Sequence, residues 1–249
     1  MTNLWKRTSL RAAWAGIAAV VLFTSLACSD AEPKPKPWGT EQPAFLPGSR
    51  VQRWAVAPAV NLSGVPQADP VLQADLVYSQ LQQVQGLTVI PVDRVIEVYQ
   101  ALHLVRIQSE KQAALVCDLL GCDGLVIPTI TAYDPYNPPK LGASLQLFVK
   151  PPGYQRPAGV DPRDLARQGS PQTPTLPGTQ NNFAQAVGFF DADNGTVREA
   201  LARYAAGRND PQGAYSQREY LVNMDRYCGF VYAQLIERLI HSPKVLALG

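Results

Sequence analysis

The sequence has little of what most active sites are built from. Two His and four Cys stand in 249 residues, too few for a His- or Cys-rich zinc or haem site. His103 and His241 are isolated, and neither has a partner at i, i+4. No GxSxG, Walker loop or GxGxxG occurs, so the common nucleophile and phosphate cradles are missing. Strong positive charge is missing too. The formal charge is +2, but Lys6, Arg7 and Arg11 fall in the first 27 residues, which hold no Asp or Glu. Without that segment 19 basic side chains face 20 acidic ones, a net of −1. This excludes a strongly basic nucleic-acid binder, because such binding neutralises phosphates with Lys and Arg. No catalytic, metal or cofactor site and no nucleic-acid partner is expected, and the chain is expected not to be an enzyme. What is present is 46% apolar and 17% charged residues, the composition of a globular protein.

The amino terminus reads as an address. Three basic residues are followed by 16 uncharged residues, 12 to 27. A spanning helix needs ~20 apolar residues, so the segment reads as a secretory signal. It ends in Ser25-Leu26-Ala27-Cys28, which resembles the lipobox of bacterial lipoproteins, with Ser25 where Leu is usual. The resemblance implies lipidation of Cys28. With Ser29 next, it implies sorting to the periplasmic face of the outer membrane; a periplasmic protein is the alternative. Residues 29 to 49 contain five Pro in 21 positions, and alternating Pro and Lys favours an extended tether. The expected division is a signal peptide at 1–27, a tether at 28–49 and a single domain at 50–249.

That domain alternates strands and helices. Apolar runs bounded by turn residues predict strands near 53–60, 87–92, 124–133, 141–149 and 183–191. Pro128, inside one of them, requires an edge position or a bulge. Asp69 and Pro70 open a helix with Leu72, Leu76, Leu81 and Val84 as its apolar face. Asp93 caps a short helix through about Leu102. Ser109 with Gln112, Thr196 with Glu199, and Ser216 with Glu219 have capping-box spacing. The last opens the longest helix, about 217–240. Residues 150–180 hold seven Pro and four Gly and read as a loosely packed loop insertion. The fold class is therefore α/β: a mixed sheet of about five strands, with a parallel start and an antiparallel hairpin at one edge, covered by helices and ending in a long C-terminal helix.

WAVAPAVNLSG, a helix, GLTVIPVDRV and LGCDGLVIPTI follow in order. This succession resembles the envelope domain shared by the TolB amino-terminal region, the curli-secretion lipoprotein CsgG and the penicillin-binding-protein activator LpoB. Gly121, Cys122 and Asp123 stand where the family has Gly-Ala-Asp. Asp191, Ala192, Gly195 and Val197 match its later strand and turn. The likeness covers roughly 50–150 and 183–240. Ala59 replaces the family's aromatic after the first-strand Pro, and the Pro-rich insertion cannot supply the amphipathic strands of a CsgG-type pore. The resemblance implies an outer-membrane-anchored, non-enzymatic accessory or scaffold that binds another envelope protein or itself. The alternative is a subunit of a CsgG-like secretion or assembly complex.

Few side chains stand out beyond Cys28. Cys117 and Cys228 fall on different helices and are the pair considered for a disulfide in an oxidising compartment; the alternative is that Cys117, Cys122 and Cys228 are small core residues. Tyr133 and Tyr136, in YDPYNPPK, are candidates for a partner-binding edge, or else pack the turn. Asp191-Ala192-Asp193-Asn194-Gly195 looks like a calcium loop, but its Gly is fifth and position twelve is Ala202, so it reads as a turn.

Overall fold

The computed structural model describes residues 44–46, 51–151, 153–154, 156, 158–167, 183–208 and 215–246. The signal-like segment, Cys28 and the Pro-rich spacer up to residue 43 lie outside the described residues, as do residues 168–182. Six strands form one mixed sheet: β1 (Gln52–Val56), β2 (Val60–Asn61), β3 (Leu87–Ile90), β4 (Gly124–Asp134), β5 (Lys140–Val149) and β6 (Phe183–Asp191). The order is β3-β1-β4-β5-β6, with β2 also beside β4. The β3-β1-β4 half and the β2-β4 pair are parallel. The β4-β5-β6 half is antiparallel. The α/β class and the parallel-then-antiparallel layout are as expected.

The helices are α1 (Pro70–Leu81), α2 (Val92–Leu102), α3 (Glu110–Leu120), α4 (Pro162–Arg167), α5 (Gly195–Ala205), α6 (Glu219–Val222), α7 (Met224–Ile240) and α8 (Pro243–Leu246). Strand alternation divides them between the two sheet faces. Trp54, Val56, Val126, Leu145 and Leu147 form one core with α1, α5, α6, α7 and α8. Ala55, Ala57, Leu125, Ile127 and Phe148 form a second with α2, α3 and α4.

Several local expectations give way to tertiary context. Pro128 is in a central strand, not at an edge. The ladder bonds Ala57 N–H to Val126 O and Leu62 N–H to Ile130 O put alternate residues of β4 toward β1 and β2. Pro128 therefore faces the break between Val56 and Val60, where no ladder bond is due. In α1 the buried residues are Gln73, Ala74, Val77 and Leu81, while Leu72 is exposed. Gln73 is drawn inward because Tyr232 Oη donates to its Oε1 at 2.6 Å. Asn194, not Thr196, caps α5 and accepts from Thr196 N–H at 2.9 Å. The expected long final helix is divided. Asn223 ends α6 and caps α7, accepting from the N–H groups of Asp225 and Arg226.

Two boundaries also move. Ala44 to Leu46, assigned to the tether, belong to the folded body. Leu46 N–H donates to Gln85 O at 2.9 Å, Gln85 N–H donates to Ala44 O at 2.8 Å, and Leu46 is buried. The insertion is not wholly loose either, because α4 packs on α3. Gln112 Nε2 donates to Ala166 O at 2.9 Å, and Ala166 is buried.

The α3–β4 junction fixes the sheet. Gly121 closes α3 in the left-handed region at φ 65°, a conformation that glycine adopts without a side-chain clash. Asp123 then ties three strands together. Its N–H donates to Arg53 O at 2.7 Å, and its carbonyl accepts from Lys150 N–H at 2.8 Å. Its Oδ2 accepts from Arg53 N–H at 2.9 Å. The carboxylate thus occupies the ladder position just before β4 begins. Gly124 follows, where an added Cβ would lie 2.9 Å from Leu147 Cδ1 and 3.0 Å from Trp54 Cδ1. Trp54, fully buried, needs that space.

Asp123→Ala is expected to lower unfolding stability by about 1.5–3 kcal/mol, the range for a hydrogen bond to a charged acceptor. A denaturant titration against the parent checks this; an unchanged midpoint contradicts the clamp.

Candidate functional site

Among the described residues, the helices do not cover the whole sheet. On the side packed by α2, α3 and α4, the core reaches Ile127 on β4 and Phe148 on β5. The antiparallel half runs on past it. Alternation sends Thr129, Gln146, Gln185, Val187 and Phe189 to that same side. Val187 is 61% and Phe189 62% exposed, whereas their neighbours Ala186 and Phe190, facing α7, are 5% exposed each. The β-bulge between Ile130 and Ala132 places Thr131 over Gly142. A Cβ at Gly142 would lie 2.7 Å from Thr131 Oγ1. The result is a face open along β6, where Gln185, Val187 and Phe189 are exposed, and closing inward, where Thr129 and Gln146 are half-buried and Ser144 is buried.

The strand edge beside this face is guarded. Lys244 Nζ donates to Phe183 O at 2.7 Å, and an Arg238 guanidinium N–H reaches Val187 O at 3.5 Å. Arg238 also lies 5.2 Å from the centre of the Phe190 ring. Cationic side chains folded over an edge discourage another strand from pairing there. At the far side of the sheet, Phe45 forms a parallel bridge to Gln85. A partner would therefore meet a face more readily than an edge.

The residues singled out from the sequence do not gather at this face. Cys28 lies outside the described residues. Tyr133 is half-buried and packs against the α7-side core. Burial first, then Cys228 and Asp225, pushes its hydroxyl up to about 12. Tyr136 is 80% exposed in the β4–β5 turn, and its N–H donates to Asp134 Oδ1 at 3.1 Å. The two tyrosines do not form one edge, because the bulge and turn send them to different environments. Cys117 and Cys228 are not bridged to each other: they are buried in the two separate cores on opposite faces of the sheet. Burial pushes the Cys228 thiol up to about 12.

The remaining polar candidates have structural partners. His103 closes α2 in the left-handed region, and His241 Nδ1 is 2.7 Å from Glu237 O at the end of α7. The aspartates of the calcium-like loop form a turn. Asp191 pairs with Lys140 Nζ at 2.9 Å, and Asp193 pairs with Arg198 at 3.1 Å. Hydrogen bonding from Asp193 N–H and from Lys140 holds the Asp191 carboxyl below its usual range. A groove of about 430 Å³ beside β3 includes Arg53, Arg94, Glu97 and Leu119. Its cations are engaged: Arg53 with Gly121 O at 3.1 Å and Arg94 with Glu97 at 2.7 Å.

Val187 and Phe189 escaped the sequence reading. FAQAVGFF looks uniformly strand-like, yet it carries apolar residues on both of its faces. Only one face of an edge strand can be buried by α7, and that doubled pattern was the available signal.

No protein-family model matches the sequence, and no curated protein matches it. Solved structures with some likeness include lipoprotein GNA1162 from Neisseria meningitidis, at 15% identity and TM-score 0.37, covering 61% of this chain and 93% of that one. The LpoB C-terminal domain from Salmonella enterica is 11% identical at TM-score 0.34, covering 41% of this chain and 74% of that one. A PelC dodecamer from Paraburkholderia phytofirmans is 9% identical at TM-score 0.35, covering 80% of this chain and 95% of that one. These values assign no function.

Adjacent β6 residues should respond oppositely to substitution. Phe189→Ser is expected to change stability by less than about 0.5 kcal/mol, and Phe190→Ala to lower it by about 3–5 kcal/mol. Thermal and denaturant unfolding of both variants checks this; equal losses contradict an open face.

Proposed function

We propose that this chain is an outer-membrane-anchored periplasmic lipoprotein that acts without catalysis, as an accessory or scaffold docking another envelope protein. The observation that carries the reading is the open sheet face, with Val187 and Phe189 exposed beside a guarded edge. Large apolar side chains clustered on an exposed surface suit protein contact, and aromatic anchors dominate such contacts. The neutral polar surroundings, Gln146, Gln185 and Thr129, suit a reversible contact with a rim that stays wet.

The rest of the reading comes from the amino terminus. Cys28 within Ser25-Leu26-Ala27-Cys28 provides the anchor, and Ser29 the sorting preference. Each acyl methylene adds ~0.8 kcal/mol to membrane affinity, so two or more chains hold stably. The 16 residues from Cys28 to Pro43 span at most ~55 Å when fully extended. Anchor, spacer and docking domain then act in series: the anchor confines the domain to a shell near the membrane, and the spacer lets its open face meet a partner.

Fractionation with mass spectrometry of the mature amino terminus tests the anchor. The expected result is an acylated Cys28 in the outer-membrane fraction and a folded, soluble Cys28→Ala protein. An unacylated, soluble parent protein overturns the lipoprotein reading.

A further inference from the structure

Two of the buried thiols meet where α3 hands over to β4. Gly121 N–H donates to Asp118 O at 3.2 Å, and Cys122 N–H donates to Cys117 O at 2.9 Å. With Gly121 left-handed, these two bonds make the Schellman turn, in which the side chains four places before and one place after the left-handed glycine are commonly brought into contact. Here both of those side chains are cysteine. The Cys122 N–H to Cys117 O bond limits the Cα separation to at most about 6.8 Å, set by the covalent lengths on either side of it, which is within the range of disulfides. Cys117 and Cys122 lie in the same core. Cys228, behind the sheet, is out of reach.

We propose that Cys117 and Cys122 form an intrachain disulfide that locks the carboxyl end of α3 to the start of β4, leaving Cys228 as a thiol. The two thiols lose two protons and two electrons as the S–S bond forms. The acceptor is the disulfide of a thiol–disulfide oxidoreductase or of a small-molecule disulfide, which is cleaved to two thiols through a mixed disulfide. Both cysteines are completely buried in the folded chain. The neighbouring Cys122 thiol first, and burial second, hold the Cys117 thiol well above its ordinary range, so folded Cys117 does not supply the thiolate that exchange requires, and burial closes Cys122 to an oxidant. Bond formation therefore belongs to folding, before the core closes. The lock would act beside Asp123, where β1, β4 and β5 are joined. This inference does not depend on the membrane anchor, because the thiols can be followed in the isolated protein.

The test uses the full chain, reduced and unfolded, then refolded in a series of reduced and oxidised glutathione mixtures. Samples are acid-quenched, alkylated in denaturant and digested with trypsin. Cys117 and Cys122 share the peptide 112–140, and Cys228 lies in 227–238. The expected result under oxidising mixtures is an unalkylated 112–140 peptide, two hydrogens lighter than its dithiol form, with 227–238 carrying one alkyl group. Cys228→Ala should leave that pattern unchanged, and prior reduction should restore two alkyl groups to 112–140. The same peptide map on protein acid-quenched directly from cells should match the oxidised pattern, independently of refolding. Two alkyl groups on 112–140 in every mixture, or a cross-link from it to another cysteine peptide, overturns the proposal.

Discussion

Strands β1, β4 and β5 are held together at one end through Asp123, which uses its N–H, its carbonyl and its carboxylate in three bonds of 2.7 to 2.9 Å. That point is also where the sheet changes character. On one side lie the parallel strands, which need helical crossovers; on the other lies an antiparallel hairpin, which does not. A central strand begun one residue late would turn its side chains to the wrong faces. Leu125 and Ile127 would then leave the α3-side core, and Val126 the α7-side core. Gly121 sets the angle of entry, Asp123 the register, and Gly124 the space for Trp54.

The imbalance between the two halves follows. The parallel half is short, since β3 has four residues and β1 five, and α2, α3 and α4 cover its face. The antiparallel strands have nine to eleven residues and outrun that cover. On the opposite face α7, with 17 residues, is long enough to lie along them. The same hairpin therefore has a filled face and an open one. Lys244 and Arg238 reach from the helical side to the β6 edge, so the surface left for contact is the face, at Val187 and Phe189.

The strands and the fold class were legible because apolar runs bounded by Gly, Pro and Asn carry a strong local signal. The failures share a cause in contacts distant in sequence. Pro128 is tolerated in a central strand because β1 and β2 leave a gap opposite it. Gln73 is buried because Tyr232 lies 159 residues away with a hydroxyl to share. Leu46 joins the core because Gln85 offers it a ladder position. Cys117 and Cys228 lie on helices that could stack, but the sheet lies between them. The Gly-Cys-Asp segment carries a family likeness in the sequence, but its physical role depends on Arg53 and Lys150, which bond to Asp123 from either side and are distant in the chain. The open face was the least legible part, since exposure of an edge strand depends on how far neighbouring helices reach.

The docking reading is tested most directly by a photo-activatable amino acid placed at position 189 and irradiated in intact cells, with adducts identified by mass spectrometry. Position 72 on α1, 40% exposed on the other side of the sheet, serves as the comparison. The expected result is a discrete adduct from position 189 to one envelope protein and none to that protein from position 72. No adduct from position 189, or the same adducts from both positions, contradicts docking at the open face. A ladder of self-adducts would put the assembly-subunit reading in its place.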